Sequence, residues 1–477
     1  MRDAYLSGCN NVTFYNATTS FTVFAHPGIS LDGCSDINIT FCNLTGSPLG
    51  PPGAIIEAYS SDNVYISDTW FSGTVDAYVA ARGGSSVIVE NCTIVGLVPS
   101  VGVFADDSYL VVNSTTIWNV TNCVFARDSS IVRIVNSILY NATDHGVYAF
   151  NRPEVYINDT VIFNVTYYAA RFENARLIAE NVSVHDIGAR GASSVYGFYL
   201  VDASQSYVHN CTFRDLVYTS AVSYAIYARG SSDHLEVANC RFLDSKVSGV
   251  TSYGVYLDGT DASYAYIHDC LFYNITRSIA IRNSYSHIIA NCNFTLVNRA
   301  VYHGGSYTRF GRTYVINCVG SNPPYSGIFL HMDWSYNLSL VNCRVRGFAY
   351  GILLGTGGML FVSGSNFTDC TYGAYLISAN GVEIRSSFYN SCSYGLKLQN
   401  YARRVRITDT VFYQCSSRGI WTYNAYGSIE IAGNLFLECG RGVDLYATND
   451  TRIYDNYFAR NTRHLYAYGV IDNVTLY

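Results

Sequence analysis

One short pattern recurs along the whole chain and limits what it can fold into. Residues Val405 to Thr422, VRITDTVFYQCSSRGIWT, hold one copy. Val405 and Ile407 alternate with Arg406 and Thr408, which predicts a half-buried strand. Asp409 breaks that strand, and Thr410 to Phe412 begins a second. Cys415 to Arg418 is a polar turn, and Gly419 to Thr422 makes a third strand. The next copies carry Ile429, Ile431, Phe436, Cys439, Gly442, Val443 and Leu445, then Ile453, Phe458 and Leu465. Upstream anchors are Asn210-Cys211, Asn239-Cys240, Asp269-Cys270, Asn291-Cys292 and Asn342-Cys343, preceded by Asn91-Cys92, Asn136, Asp159 and Asn181. Their spacing, roughly 22 to 30 residues, signals a solenoid. Three short strands per period with no helical pattern select a β-helix over leucine-rich or helical repeats.

Asn-x-x-Phe turns, Cys-x-x-Gly-Ile-x-Leu strands and a period in the low twenties resemble the right-handed parallel β-helix, the pectate-lyase-like superfamily. The resemblance covers nearly all of the chain. It implies an all-β, single-stranded right-handed parallel β-helix of about twenty coils, three strands per coil, about 100 Å long at one strand spacing per coil. That fold hosts lyases, hydrolases, phage tailspikes, adhesins and surface-layer proteins, so it does not fix a function.

The unbroken repeat argues that residues 1–477 form one domain. Coils at 1–75 are irregular and interrupted by a Pro/Gly loop at 47–53. Central coils at 76–365 include longer ones at 186–290 and a second irregular patch over 291–365, with His303-Gly304-Gly305 and Asn322-Pro323-Pro324-Tyr325. Residues 366–477 return to regular coils. No amphipathic helix precedes the first coil, and no polar tail follows Asn473 to Tyr477. Both ends are therefore expected to be open, and open ends invite end-to-end stacking of subunits.

Lysine is nearly absent, with Lys246 and Lys397, so arginine supplies the positive charge. A formal charge of −6 gives no reason to expect nucleic acid or an anionic membrane as partner. No apolar run approaches a bilayer-spanning length. Fifteen cysteines would suggest a disulfide scaffold elsewhere. Here Cys211 shares strand parity with Phe213, so Cys211, Cys240, Cys270, Cys292, Cys318 and Cys343 are expected to form an interior ladder of thiols packed as small hydrophobes. No CxxC or His/Cys cluster points to a metal, and no cofactor is expected.

There are 18 Asn-x-Ser/Thr sequons. Asn91, Asn113, Asn181 and Asn210 fall where β-helices stack asparagines inward, and are expected to be inaccessible. Asn16, Asn119, Asn141, Asn164 and Asn274 follow an aromatic residue near the end of the second strand. They are expected in exposed turns suited to N-glycans, and the sequons at Asn366 and Asn449 are further glycosylation candidates. Glycosylation would place the protein outside the cell or on its surface. The opening MRDAYLSG has no signal-peptide pattern, so a mature or trimmed form is expected.

In Gly395-Leu396-Lys397-Leu398 the leucines face in and Lys397 faces out, as does Asp444. The same position elsewhere holds Phe104, Phe125, Tyr148, Tyr199, Tyr227, Tyr256, Tyr302, Phe329, Tyr375, Trp421 and Tyr466, with Arg171 and Arg282 between them. Three readings of this stripe stand: cross-strand stabilisation, burial against another subunit, or a platform for sugars. The resembling enzymes hold polysaccharide beside this sheet. Of the polygalacturonase-like elements only Asp106-Asp107 is present, and Asp144-His145-Gly146 is not its histidine element. Asp202, Asp258 and Asp261 near Arg229 read as solvated turn acids. His303 and the pair His331/Asp333 lie beside the third strand. No nucleophile stands out.

The expectation is a secreted, N-glycosylated surface protein that assembles with copies of itself into filaments or a layer. The alternatives are a polysaccharide-active enzyme or tailspike-like sugar binder using the stripe, and an adhesin module of a longer chain.

Overall fold

The fold is described from a computed structural model covering all residues except 1–3, 23–27, 48–52, 189–193, 217–221, 245–249, 260–263, 285, 306–311, 324, 334–336 and 477. Most of the Pro/Gly loop, Lys246, Pro324 and Asp261 lie outside the described residues. The rest forms a parallel β-solenoid of about 19 turns, three strands per turn, without a helix. It divides into two compact units, residues 1–241 with 245–252, and residues 242–244 with 253–477.

In the second unit the repeat read first is built from strands Arg403–Thr408, Val411–Tyr413 and Arg418–Tyr423. The next coil pairs with it in register and in parallel: Ile407 with Ile431, Phe412 with Phe436, Ile420 with Val443. The first unit repeats this plan. Tyr109–Asn113, Thr116–Trp118 and Asn122–Arg127 pair with Ile131–Val135, Ile138–Tyr140 and His145–Phe150.

Three side-chain columns explain why this sequence closes into coils. The first sets the turn after the first strand. Asp68, Asn91, Asn136, Asp159 and Asn181 all have φ between 47 and 56°. Asn and Asp tolerate this left-handed conformation better than other side chains do. These anchors point out, and the next residue points in. Asn91, Asn181 and Asn210 are exposed and Asn113 is half-buried, which corrects the expectation of an inward asparagine stack. The inward position is taken by Cys92, Thr115, Ser137 and Thr160, all buried.

The second column serves the turn after the third strand. Backbone N–H groups of Cys34, Ser61, Ser85 and Ser108 donate to the hydroxyls of Ser61, Ser85, Ser108 and Ser130, one coil on, at 3.0 to 3.2 Å. The hydroxyls donate in turn to carbonyls, as Ser85 Oγ does to Arg82 O at 2.7 Å. Turn amides that no sheet can pair are thereby satisfied.

The third column is the core. Phe367, Tyr389, Phe412, Phe436 and Phe458 stack with ring centroids 4.8 to 5.0 Å apart. Burying each ring contributes about 1.5–3 kcal/mol. They lie against a glycine at the start of each third strand. A Cβ on Gly395 would sit 2.5 Å from both the Gly419 carbonyl oxygen and Phe412 Cδ1. One coil inverts the pair: Gly320 takes the ring position and Phe329 lies opposite Gly351, the glycine position. Phe329 is fully buried between Phe294 and Phe348, so it does not belong to the outward stripe.

All fifteen cysteines are free and fourteen are buried. Cys211 and Phe213 are both fully buried, as their parity requires. Each thiol donates to backbone carbonyls: Cys292 Sγ lies 3.3 Å from Ala290 O, and Cys343 Sγ 3.4 Å from Val341 O.

Candidate functional site

The outward face of the third-strand sheet carries two side-chain columns, not one. In the first unit, register sets Phe104, Phe125, Tyr148, Arg171, Tyr199 and Tyr227 in one column. Three residues earlier in each coil stand Asn122, His145, Tyr168, Tyr196 and Tyr224. This second column was missed in the sequence because strict alternation does not reach it. It sits just before the glycine or alanine at the corner, as in Tyr394-Gly395-Leu396-Lys397.

In the second unit Tyr256, Ala280, Tyr302 and His331 follow one another in the first column. Tyr375, Lys397, Trp421 and Asp444 follow further on. His331 thus holds the position expected for Phe329. Ala280 holds the one expected for Arg282, which pairs instead with Asp258 and Gly304. The neighbouring column holds Tyr253, Arg277 and Arg299, then Tyr350, Tyr372 and Tyr394, then Arg418, Arg441 and Arg463.

The stripe is not a row of free rings. Tyr148, Tyr199, Tyr227, Tyr302, Tyr375 and Trp421 are half-buried and Tyr256 is buried. Tyr196 and Tyr224 stack at 5.1 Å, Tyr199 and Tyr227 at 5.2 Å, and the two columns meet edge-on, Tyr196 against Tyr199 at 72°. Both offset and edge-on pairs are favourable. Cations cap the rings. Arg171 lies 5.1 Å from the Tyr168 ring, and Lys397 4.3 Å from Trp421.

At two places on this face a carboxylate lies between arginines. Asp106 contacts Arg127 at 2.5 Å and Arg82 at 3.7 Å. Hydrogen bonding from Arg127 holds its carboxyl below the usual range. A recess of about 350 Å³ adjoins it, lined by Asp76, Arg82, Pro99, Phe104, Asn122 and Phe125 among others. Asp444 is fully buried and is held by Arg418 and, at 2.6 Å, by Arg441.

A different cluster occurs at Tyr253 to Asp333. Arg277 Nη1 donates to Tyr253 Oη at 2.8 Å and its guanidinium lies 5.4 Å from the Tyr302 ring. Arg299 lies 5.2 Å from the same ring. Tyr302 Oη donates to Asp333 Oδ2 at 3.1 Å, and His331 Nε2 lies 3.0 Å from Asp333 Oδ1. Burial and then the adjacent Arg277 pull the Arg299 pKa down. Burial pulls His331 down and, more than Asp333 does, pushes Tyr302 up. His303 is on the inward side, fully within the core with His287. Burial lowers both imidazoles to about 3.

Asp202 is exposed and accepts from the Ser231 amide at 2.8 Å, a turn role. Asp258 belongs to the other unit, and Asp261 lies outside the described residues. Asp144 and Asn122 both reach His145 Nδ1, at 3.2 and 2.8 Å.

The candidate glycan sites divide by location. Asn119, Asn141 and Asn164 stack in one turn after the second strand, Asn141 Nδ2 donating to Asn119 Oδ1 at 3.2 Å and Asn164 Nδ2 to Asn141 Oδ1 at 2.6 Å. Asn274 Nδ2 donates to Asp244 Oδ1 at 3.2 Å. Asn16 is exposed but follows the first strand, not the second. Asn366 and Asn449 are half-buried strand residues.

These features define a class. The model of the right-handed β-helix region matches residues 4–98 and 100–246, and the chain belongs to that family. A second model, the periplasmic copper-binding protein NosD, matches residues 295–474. No curated protein matches the chain by sequence. Among solved structures the chain is similar to the periplasmic alginate epimerase AlgG, at 9% identity over 87% of this chain and 77% of that one, with a TM-score of 0.29. It is also similar to tailspike protein 3 of bacteriophage CBA120, at 10% identity over 97% and 56%, TM-score 0.27. A third is tailspike gp49 of Acinetobacter baumannii bacteriophage Fri1, a capsular polysaccharide depolymerase, at 13% identity over 70% and 57%, TM-score 0.32.

Copper does not fit the described residues. They contain no group of three or more His, Cys, Asp or Glu side chains placed to hold a metal. The thiols of 295–474 are each engaged with backbone carbonyls. His287 accepts from the Ala265 amide at Nδ1 and meets Ser284 Oγ at Nε2, leaving no ring nitrogen free. No helix among the described residues is long and apolar enough to cross a membrane.

Proposed function

We propose that the protein is a polysaccharide-binding β-helix, working outside the cytoplasm, that holds a glycan along the outward face of its third-strand sheet. The observation that carries this is the pair of tyrosine-rich columns, in which Tyr196/Tyr199 and Tyr224/Tyr227 of one unit and Tyr372/Tyr375 of the other stand side by side, with arginine and lysine over neighbouring rings. Tyrosine offers an apolar body to the C–H faces of a sugar and a hydroxyl to its rim. Arginine adds a fork of donors. Because the rings stack on one another, the side chains are ordered before a ligand arrives, which lowers the entropic cost of binding. The periplasmic description of the family model over 295–474 supports a location outside the cytoplasm.

Affinity electrophoresis against a panel of neutral, carboxylated and sulfated polysaccharides tests this. Retardation by at least one polymer is expected. It should weaken about tenfold in a Tyr196→Ala/Tyr199→Ala variant, from about 0.5–1.5 kcal/mol per ring contact. No retardation by any polymer, together with polymers of the protein itself under the electron microscope, would hand the function to the self-assembling structural reading.

A further inference from the structure

The surface reading leaves one local cluster unexplained. Arg277 and Arg299 are register partners, so two guanidinium groups stand one coil apart on the same face. Like charges directly opposite in a sheet repel. Elsewhere on this face arginines share an acid, Asp444 held by the register partners Arg418 and Arg441, or Asp106 in register between Arg82 and Arg127. The coil position that Asp444 occupies beside Arg441 corresponds to Tyr302 beside Arg299, and in the preceding coil to Ala280 beside Arg277. Neither side chain is an anion. Among the described residues neither arginine makes an ion pair with a carboxylate; Arg277 bonds to Tyr253 and both lie against the Tyr302 ring. Asp333, the acid of this cluster, accepts from Tyr302 and lies 3.0 Å from His331, and its charge reaches Arg299 without forming an ion pair with it. Both arginines are half-buried and laid against tyrosine rings, so their positions are set.

A second observation points the same way. His331 is 9% exposed, stands in register with Tyr302 on the next coil, and its Nδ1 is buried without a partner. With Nε2 donating to Asp333, Nδ1 of the neutral ring is a buried acceptor, and a sugar hydroxyl next to the anionic group can donate to it.

We propose that Arg277 and Arg299, with Tyr302 and His331 beside them, form an oxyanion subsite that takes the carboxylate or sulfate group of an acidic sugar chain. This rests on the reading of the face as a polysaccharide surface and gives that polysaccharide its charge class. Two guanidinium forks one coil apart can donate to the oxygens of a planar carboxylate or a sulfate ester. The tyrosine rings on either side offer the sugar ring a wall.

The test separates the subsite from the surface. Thermal denaturation of the full chain is followed with D-galacturonate, with galactose, and with neither, for the wild type and Arg277→Gln/Arg299→Gln. Galacturonate, not galactose, is expected to raise the wild-type midpoint and to leave the variant unchanged. Removing both of the mutually repelling charges should not lower the variant's own midpoint, which guards against misfolding. Polygalacturonate, a sulfated galactan and a neutral galactan are then compared by affinity electrophoresis. Loss of at least tenfold affinity for one acidic polymer in the variant supports the subsite, and which polymer responds separates carboxylate from sulfate. Equal responses of wild type and variant to galacturonate overturn it, as does no response to any anion. Protection by galacturonate with no polymer bound would keep the subsite and overturn the surface reading.

Discussion

At the scale of single residues the core makes sharp demands. Gly395→Ala places a methyl group against a carbonyl oxygen and the Phe412 ring. Overpacking of this kind costs about 1–3 kcal/mol, and a urea midpoint measures it. Tyr389 is fully buried with its hydroxyl unpartnered. Tyr389→Phe is therefore expected to be neutral or to stabilise by about 1 kcal/mol. His287 and His303 are neutral in the core, with folded pKa values of about 3, below the unfolded value. The unfolded chain binds these protons first. Stability from the neutral imidazoles is thus complete above about pH 6.5 and is lost as pH falls toward 3, roughly 2 kcal/mol per histidine by pH 5. His303→Leu should flatten the dependence of the urea midpoint between pH 7.5 and 5; an unchanged slope would show that other groups carry it. Among the stacked sequons, the amide nitrogens of Asn141 and Asn164 are donated down the ladder, whereas Asn119, exposed at its end, only accepts in it. Glycopeptide mass spectrometry is expected to find Asn119 modified more fully than Asn141 or Asn164.

At the scale of the strand and its neighbours, the outward face is a set of linked columns. Asp444→Asn leaves two arginines around a site with no charge to hold them, in a pocket closed to water. Breaking a buried pair costs about 3–5 kcal/mol, so a large drop in the denaturation midpoint is expected. A small drop would mean that water reaches the pair on relaxation. The three strands of each coil were legible because valine, isoleucine and phenylalanine alternate with polar residues. The anchors Asn91, Asn136, Asp159 and Asn181 were legible as punctuation, yet their direction was not. A left-handed turn residue points away from the interior, and only backbone geometry shows that. Phe329 was misread for a related reason. Parity along one strand assigns it outward, but Gly320 vacates a ring position on another strand and Phe329 fills it from the glycine side.

At the scale of the whole molecule, a net charge of −6 coexists with an arginine locus at 277 and 299. Attraction to polyanions is then local and saturable, not general. DNA is expected to be unretarded at an ionic strength where an acidic polysaccharide is retarded, and the retardation should fall as salt screens the site. What the sequence determined by itself is the fold: three strands per turn, parallel stacking, a thiol-lined interior and the sides of most strands. Each depends on neighbours a few residues apart, or on a repeat whose copies share one environment. Tertiary structure alone decided the second tyrosine column, the placing of His331 and Ala280 in the first, and the meeting of Arg277, Arg299, Tyr302 and Asp333. Those contacts join residues about one coil apart through register. A register shift of one residue inverts every side chain, so loops of differing length between coils hide it from a reading along the chain.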